Sequence, residues 1–334
     1  MAEPTHNQVS GDATGHRFCL FDVVEKTDYP LGDAVLYNVR RQPHKGGMHM
    51  NIYKTLSLSA VAAIGAVYGG VPLNNLQGTG GIAFNPLAYT AGKPWEGGAS
   101  NVLDNVVSKP QVGAWYVNLN DADINWYAGS AALTFFDRLE VSYGYGFVNA
   151  RKYGDKSIET HNVGAKLRIL DENAFETSWV PAIAVGGVYK HTDSKTVDAL
   201  GLDNYGFDAY VVASKLVTQT PVPVLLSAGL LYTDEVVNGV VGHNDYDVVA
   251  FGNVDILPAE NVAIGFEYKQ GARVGDGIRN HDYYDGHVAW FVNDKLTLVA
   301  AFAETGDKDK FYRRGSAKNL GVGSGLVLSV QYQF

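Results

Sequence analysis

The last ten residues of the chain, Gly325 to Phe334, read GLVLSVQYQF. Every second residue from Leu326 to Phe334 is apolar, and the residues between them are Ser or Gln except for Val327. Alternation in steps of two indicates a β-strand with one apolar and one polar face. The stretch therefore predicts a strand that lies between an apolar and a polar environment.

Tyr332 and the aromatic carboxyl-terminal residue Phe334 complete this strand. Such an ending resembles the last strand of bacterial outer-membrane barrels, which the barrel assembly machinery reads. We therefore expect Tyr332 and Phe334 to act as an assembly signal. A soluble sandwich can also end on an amphipathic strand, so the ending alone leaves both classes open.

Composition favours strands and turns over helices. The 334 residues include 20 Tyr, 14 Phe and 38 Gly, and the formal net charge is −9. The mean hydropathy of −0.08 argues against a helical membrane protein, whereas alternation in a barrel hides half of the apolar signal. Cys19 is the single cysteine, so no disulfide forms within the chain. The acidic balance without a basic stripe predicts no nucleic-acid partner, and no cofactor is expected.

A secretory signal peptide is predicted inside the chain rather than at its start. Met50–Lys54 carries a positive charge, Leu56–Val67 is apolar, and small residues follow. We interpret the preceding residues as an upstream extension that is disordered or that reflects a misplaced start. The expected organisation is an extension at 1–49, a signal peptide at 50–69, a Gly/Asn/Pro-rich segment at 70–110 that enters the lumen, covers an opening or links, and a barrel at 111–334.

Strand-like runs bounded by turn signals recur after Gln111 and number about twelve, most near the ~9–11 residues of a tilted membrane strand. Short turns alternate with long polar connections, which is typical of bacterial outer-membrane barrels. The fold class predicted is all-β, a transmembrane antiparallel up-and-down barrel. The strands are predicted near 111–119, 125–136, 139–149, 160–170, 180–191, 205–217, 224–236, 246–257, 262–270, 282–292, 296–305 and 324–334.

Charged residues on these strands are expected to face the interior, because Arg or Lys facing lipid at mid-bilayer costs about 2–4 kcal/mol. Close pairs of opposite charge would tie the wall together, whereas separated rows would set up a transverse field, and the sequence does not choose between them. The expected lumen-lining residues are Glu140, Lys166, Arg168, Asp247, Asn253, Asp255, Glu267, Lys269, Asp285 and His287.

Aromatic residues on or near the strands are expected at the two membrane interfaces, as is usual in membrane barrels. Ordinary strand composition is the alternative explanation. The tryptophans concerned are Trp115, Trp126, Trp179 and Trp290.

Several stretches are similar to one protein family. They are Gly70–Leu76, Gly80–Tyr89, Lys109–Tyr116, Asp137–Tyr145, Asp234–Asp247 and Gly265–Gly271. Together they resemble a proteobacterial family of uncharacterised proteins, domain of unknown function (DUF) 3034, over about residues 69–334. The resemblance implies an outer-membrane location and brings no established activity, so it supplies no catalytic residues.

Histidines and carboxylates on or beside the long loops form weaker metal candidates, because imidazole and carboxylate groups ligate transition metals. Their spacing matches no metal motif, and a solvated acidic rim is the simpler interpretation. No catalytic residue is predicted. The metal candidates are His191, Asp193, His243, Asp245, His281 and Asp282.

Three functions follow from a barrel of this kind. The leading prediction is a porin-like barrel that passes or binds a small polar solute through a narrow, charged lumen. The second is a structural, assembly or surface-interaction barrel without transport, and an outer-membrane enzyme comes third and is not expected. The expected partners are outer-membrane lipid and lipopolysaccharide, the barrel assembly machinery and a small polar solute.

Overall fold

The computed structural model describes residues 73–92, 106–150, 155–195, 198, 203–241, 246–275, 278–306 and 319–334. The predicted extension and signal peptide lie outside the described residues. Within them, the chain forms a closed antiparallel barrel of twelve strands. The predicted fold class is thereby confirmed.

The barrel closes between its first and last strands, which pair antiparallel from Gln111 opposite Gln333 to Asn118 opposite Leu326. All other neighbours are consecutive spanning strands, so the topology is up-and-down. The spanning strands are β1 (Gln111–Leu119), β2 (Ile124–Phe135), β3 (Leu139–Ala150), β4 (Asp155–Leu170), β5 (Ala182–Asp193), β6 (Tyr205–Val217), β7 (Val224–Thr233), β10 (Asp247–Ala259), β11 (Val262–Lys269), β14 (Tyr283–Phe291), β15 (Leu296–Glu304) and β17 (Ser324–Gln333).

Five shorter strands lie in the described parts of the connections. β8 (Glu235–Val237) and β9 (Val240–Val241) form a hairpin after β7, and β12 (Arg273–Gly275), β13 (Ile278–Asn280) and β16 (Asn319–Leu320) form a small sheet. Two short 3-10 helices occur at Asn120–Ala122 and Ala174–Glu176. No helix in the described part of the chain is long and apolar enough to cross a membrane.

The outer face of the strands is apolar, as the terminal strand predicts. Leu326, Leu328 and Val330 are 40–52% exposed, whereas Val327 is fully buried on the inward side. Val163 and Leu167 on β4 are likewise exposed, while Lys166 between them is buried. An apolar belt around a closed ring of strands, with charge inside, is the structure of an outer-membrane barrel.

Two tryptophans depart from the expected interface positions. Trp115 and Trp126 face inward and are 3% and 5% exposed, so their assignment to an aromatic belt is wrong. Their strand positions have inward parity, and the Trp115 Nε1–H donates to the carbonyl oxygen of Asn74 inside the barrel, at 2.7 Å. Trp179 and Trp290 face outward and are exposed.

Candidate functional site

Residues 73–92, here called the interior segment, lie inside the barrel. Every residue of the segment is buried, and none carries a charged side chain. The segment folds on itself through backbone bonds from Gly81 N to Leu73 O and from Leu87 N to Gly80 O. Its polar groups are backbone amides and uncharged side chains, and those that are not bonded within the segment need partners on the wall.

Glu267 on β11 holds the middle of the interior segment. Its carboxylate accepts hydrogen bonds from the backbone N–H groups of Ala83, Phe84 and Asn85 at 2.9, 3.0 and 3.1 Å. Three successive amides that converge on one anion form a backbone nest. The wall carboxylate therefore anchors the segment through charge-assisted bonds to its main chain.

Glu140 on β3 holds two other points of the same segment. It accepts from the N–H groups of Gly80 at 2.8 Å and Ala91 at 2.7 Å, and it pairs with Lys166 at 2.9 Å. Lys166 Nζ also donates to the carbonyl oxygen of Gly80 at 2.8 Å. Glu140 and Lys166 thus bind each other, and both also bind the interior segment.

The two ends of the interior segment meet the wall near the barrel end that carries short turns. Asn74 N donates to Gln331 Oε1 at 3.1 Å, and Gly92 N donates to Gln111 Oε1 at 3.1 Å. Ala88 N donates to Ser214 Oγ at 2.9 Å. The segment therefore enters the lumen, turns and returns toward the same end.

A second element fills the lumen from the other side. Residues 234–241, here called the lumen hairpin, contain β8 and β9 and carry acidic side chains into the barrel. Glu235 forms an ion pair with Lys269, and Lys269 Nζ donates to Asn238 Oδ1 at 2.8 Å. Lys190 lies 2.6 Å from Asp208 and 3.3 Å from Asp234.

The two acidic residues of the lumen hairpin have opposite electrostatic environments. Burial alone raises the pKa of Glu235, but the Lys269 and Lys190 ammonium groups outweigh it and hold that pKa below its usual range. Burial, with the neighbouring Asp208 carboxylate, raises the pKa of Asp234 against the attraction of Lys190. Glu235 is therefore the better-stabilised anion of the two.

The interior segment and the lumen hairpin also meet through apolar side chains. Leu76 and Phe84 of the segment, Val237 of the hairpin, and Trp126 and Tyr283 of the wall surround a cavity of about 20 Å³. A water molecule needs about 10–15 Å³, so this space is small. The contact joins the two lumen elements into one packed interior.

A cluster of ionisable groups lies behind Glu267. His287 Nε2 lies 2.7 Å from Asp255 Oδ1, and His287 Nδ1 lies 2.7 Å from Asp285 Oδ1. Glu267 stands directly opposite Asp285 in the β11–β14 register. All four side chains are buried, so the wall at this point carries several acids at close range.

The structure places eight of the ten expected lumen residues inside the barrel and two at its ends. Arg168 lies near the short turns, where its Nε is 3.0 Å from Asp171 Oδ1. Asp247 lies at the opposite end and pairs with Arg279 at 3.1 Å. The eight buried residues are Glu140, Lys166, Asn253, Asp255, Glu267, Lys269, Asp285 and His287.

The loop candidates for a metal do not assemble within the described residues. His191 lies beside His161, with ring centroids 6.3 Å apart, on β5 and β4, and Asp193 ends β5. His281 and Asp282 precede β14, and Asp282 accepts from the Tyr268 hydroxyl at 3.0 Å. His243 and Asp245 lie outside the described residues. Tyr332 and Phe334 face outward in an edge-to-face contact at 5.0 Å.

The predicted lumen residues Glu140, Glu267 and Lys269 prove to hold the lumen elements, but sequence reasoning did not identify several of their neighbours. Gln111, Ser214 and Gln331 bond the interior segment, and Lys190, which is paired with Asp208, forms an ion pair with Asp234 of the lumen hairpin. Each of these wall residues lies at an alternating strand position whose side chain faces the lumen. That position alone does not distinguish a partner of the segment from any other lumen residue. Only the Gly- and Asn-rich composition of residues 70–110 indicated that this stretch could enter the barrel.

Comparison with known protein families shows to which family the chain belongs. Residues 69–315 match the family described as Protein of unknown function (DUF3034). The chain belongs to the DUF3034 family. The match covers most of the chain, including the interior segment and nearly all of the barrel, and no curated protein matches.

Solved barrels provide distant likenesses to this DUF3034 protein. The KdgM porin has a TM-score of 0.43 and 12% identity, with 67% of this chain and 99% of that chain covered. The NanC porin has a TM-score of 0.40 and 10% identity, with 67% of this chain and 98% of that chain covered. Omp33 of Acinetobacter baumannii has a TM-score of 0.37 and 12% identity, with 69% of this chain and 100% of that chain covered. These likenesses are too distant to assign a solute.

Proposed function

We propose that the protein is a gated outer-membrane channel for a small polar solute, closed by the interior segment. The supporting observation is the way this segment is held. It bonds to carboxylates and amides of a polar lumen wall, and it is not itself a strand of that wall. A filling element held by reversible bonds can leave the lumen without opening the barrel.

The dimensions are consistent with a small solute. Twelve strands enclose a narrower lumen than the 16–18 strands of general porins. With the interior segment displaced, the wall would present Glu140, Glu267 and Lys166 to the solute. We therefore propose a polar, hydrogen-bonding solute over an apolar one.

Planar-bilayer recording tests the proposal. The wild-type barrel is expected to be mostly silent, and a variant lacking residues 73–92 is expected to conduct steadily, with a small conductance set by the lumen hairpin that remains. Deletion of residues 93–105, which follow the segment, is the matched control and is expected to stay silent. A second variant, Glu140→Gln with Glu267→Gln, keeps the segment but weakens its anchors and is expected to open intermittently.

Two outcomes would count against the proposal. If every variant stayed silent while its barrel still showed heat-modifiable migration on gels, the proposed channel function would be contradicted. Equal steady conductance of the wild type and of the deletion would remove the gate.

A structural barrel without transport is the second candidate, and one observation favours it. Each of the buried lysines Lys166, Lys190 and Lys269 lies in an ion pair inside the barrel. Close pairing of this kind fixes the interior and leaves few free charges for a solute. The same recordings separate the candidates, because a structural barrel that keeps its interior segment stays silent even when the anchors Glu140 and Glu267 are weakened, whereas a gated channel opens.

The same proposal includes export by a cleaved signal peptide at residues 50–69 and insertion by the barrel assembly machinery. The apolar outer belt supports a location in outer-membrane lipid, with lipopolysaccharide around the long-loop end. The amino-terminal sequence of protein isolated from outer membranes tests the cleavage. A mature chain that begins upstream of Met50 would contradict it.

A further inference from the structure

We propose that the inner wall of the barrel binds a divalent transition-metal ion between Glu267, Asp285 and His287. One nitrogen or oxygen atom from each of the three lies within 4.8 Å of the others, and all three side chains are buried. A set of one imidazole and two carboxylates is typical of zinc and of related first-row ions. This site does not require the barrel to conduct.

The strand register brings the three groups together. Glu267 on β11 is directly opposite Asp285 on β14, and His287 follows two positions along β14 on the same face. Directly opposed side chains stand about 4.5–5.5 Å apart at Cβ, which suits a shared ion. The ligand set is therefore carried by paired strands of the wall and by no loop.

An outer carboxylate orients the histidine. Asp255 Oδ1 lies 2.7 Å from His287 Nε2, and Asn253 Nδ2 donates to the other Asp255 oxygen at 2.5 Å. A carboxylate that accepts the second ring N–H is the usual support of a metal-ligating histidine. Gly265, opposite His287, leaves space for the contact between Asp255 and His287, because a Cβ at this position would collide with both side chains. His287 Nδ1 is thereby directed at Asp285.

Two of the carboxylates have unused ligand capacity. Asp285 Oδ2 is buried and accepts no hydrogen bond from an N–H or hydroxyl group of the described residues. Glu267 accepts three backbone N–H groups, and a carboxylate offers about four acceptor positions. A buried acceptor without a partner is costly, so the geometry points to a bound cation at this place.

Charge leads to the same conclusion. Three carboxylates, from Asp255, Glu267 and Asp285, surround the single imidazole of His287. Lys269 lies two residues beyond Glu267, but it is already bonded to Glu235 and Asn238. Buried negative charge in excess of its partners is unfavourable, and a dication would offset two of the three carboxylate charges.

The ion would also reinforce the closed interior. Glu267 would hold the metal and the backbone nest of the interior segment at the same time. The metal thus links β11, β14 and the segment through one carboxylate.

Zinc binding to the full-length chain, refolded in detergent with Zn²⁺ and then dialysed, tests the site. Wild type is expected to retain one more zinc equivalent, by elemental mass spectrometry, than His287→Ala. His161→Ala, on the outer wall, is the matched control and is expected to retain as much as wild type. The difference between proteins is the readout, because Cys19 and the other histidines offer further thiol and imidazole groups to the added zinc.

A conservative variant sharpens the test. Asp255→Asn keeps the three ligands and removes the orienting carboxylate, so zinc affinity is expected to fall by about 10–100-fold. Ca²⁺ and Mg²⁺ are expected to bind far more weakly, because an imidazole ligand favours the transition ions.

Hydrogen exchange on the wild type provides a measurement that needs no variant. Zinc is expected to slow amide exchange in β11 and β14 and to leave β4 and β5 unchanged. Equal zinc retention by wild type and folded His287→Ala would overturn the proposal, since the cluster would then hold only a shared proton. Zinc-independent exchange in β11 and β14 would overturn it equally.

Discussion

The two elements that fill the barrel are held by opposite chemistry. The interior segment brings no charge, and wall carboxylates such as Glu267 and Glu140 bind its backbone amides. The lumen hairpin brings carboxylates of its own, and the wall lysine Lys269 binds Glu235. The carboxylates therefore come from the wall in one case and from the inserted element in the other. Side-chain amides such as Asn85 also bond the interior segment to the wall, and backbone groups such as Val241 N also bond the hairpin.

This difference decides how each element responds to mutation. The interior segment distributes its attachment over many backbone bonds, so a single wall substitution removes only part of it. The lumen hairpin depends on a few buried ion pairs, and removal of one partner leaves a charge in a place that water does not reach. We therefore expect the hairpin to be the more fragile of the two.

The largest effect is expected from Lys269→Met. The substitution leaves Glu235 buried without its main partner, and a broken buried pair costs about 3–5 kcal/mol. Urea unfolding of the barrel in detergent measures this loss. The double variant Lys269→Met with Glu235→Gln removes both charges and is expected to recover most of it. Equal losses in the single and double variants would show that the ion pair does not hold the hairpin.

Glu267→Gln is expected to have the next largest effect, on the interior segment. The neutral amide has one acceptor oxygen in place of two, and a hydrogen bond to a charged group contributes about 1.5–3 kcal/mol. Amide exchange at Ala83, Phe84 and Asn85 should accelerate accordingly, while the amides of the lumen hairpin keep their rates. Acceleration spread over the whole barrel would mean that Glu267 supports the wall and not the segment specifically.

Ser214→Ala should have a smaller and more local effect. Its hydroxyl accepts one bond from Ala88 N, and a neutral hydrogen bond is worth about 1 kcal/mol. Exchange is expected to rise at Ala88 and to stay constant at Phe84. No change at Ala88 would indicate that this bond is absent in the membrane-mimetic environment.

Asp234→Asn should have the smallest effect on the lumen hairpin. Burial raises the pKa of Asp234, so its ionised form destabilises the fold above that pKa and the amide is expected to be neutral or slightly stabilising at neutral pH. The pKa of Glu235 is shifted in the opposite direction, so its ionised form stabilises the fold. Its lowered pKa gives stability that is present above the unfolded value and lost as pH falls through the folded value.

Unfolding free energies of Asp234→Asn and Glu235→Gln, measured at neutral pH and in acid, check this contrast. The difference between Glu235→Gln and wild type should shrink as the solution is acidified through the folded pKa. A larger loss for Asp234→Asn than for Glu235→Gln at neutral pH would reverse the assignment of the two carboxylates.

The wall of the barrel could be predicted from the sequence because its signal is local. Alternation in stretches such as Gly325 to Phe334 fixes which side faces lipid, and turn residues mark where strands end. Strand bounds were least accurate at β4, which begins at Asp155 rather than near residue 160, because its loop end is polar and lacks alternation.

The contents of the lumen could not be predicted in the same way. Glu267 was predicted to face the lumen, but the nest at Ala83–Asn85 consists of backbone amides, which every sequence has, so nothing in the residue types showed that Glu267 binds there. The pairing of Lys269 with Glu235 joins a wall strand to a loop hairpin, and strand parity does not reveal that contact. Trp115 and Trp126 were misplaced for a related reason, since an aromatic residue on a strand suits either a membrane interface or a packed lumen.

The most direct test of a filled lumen is the amide exchange of residues 83–85 in the folded wild-type barrel. Their N–H groups are bonded to a buried carboxylate, so we expect them to exchange as slowly as the amides of β11. Exchange at the rate of an unstructured peptide, in a barrel whose strands stay protected, would contradict the account.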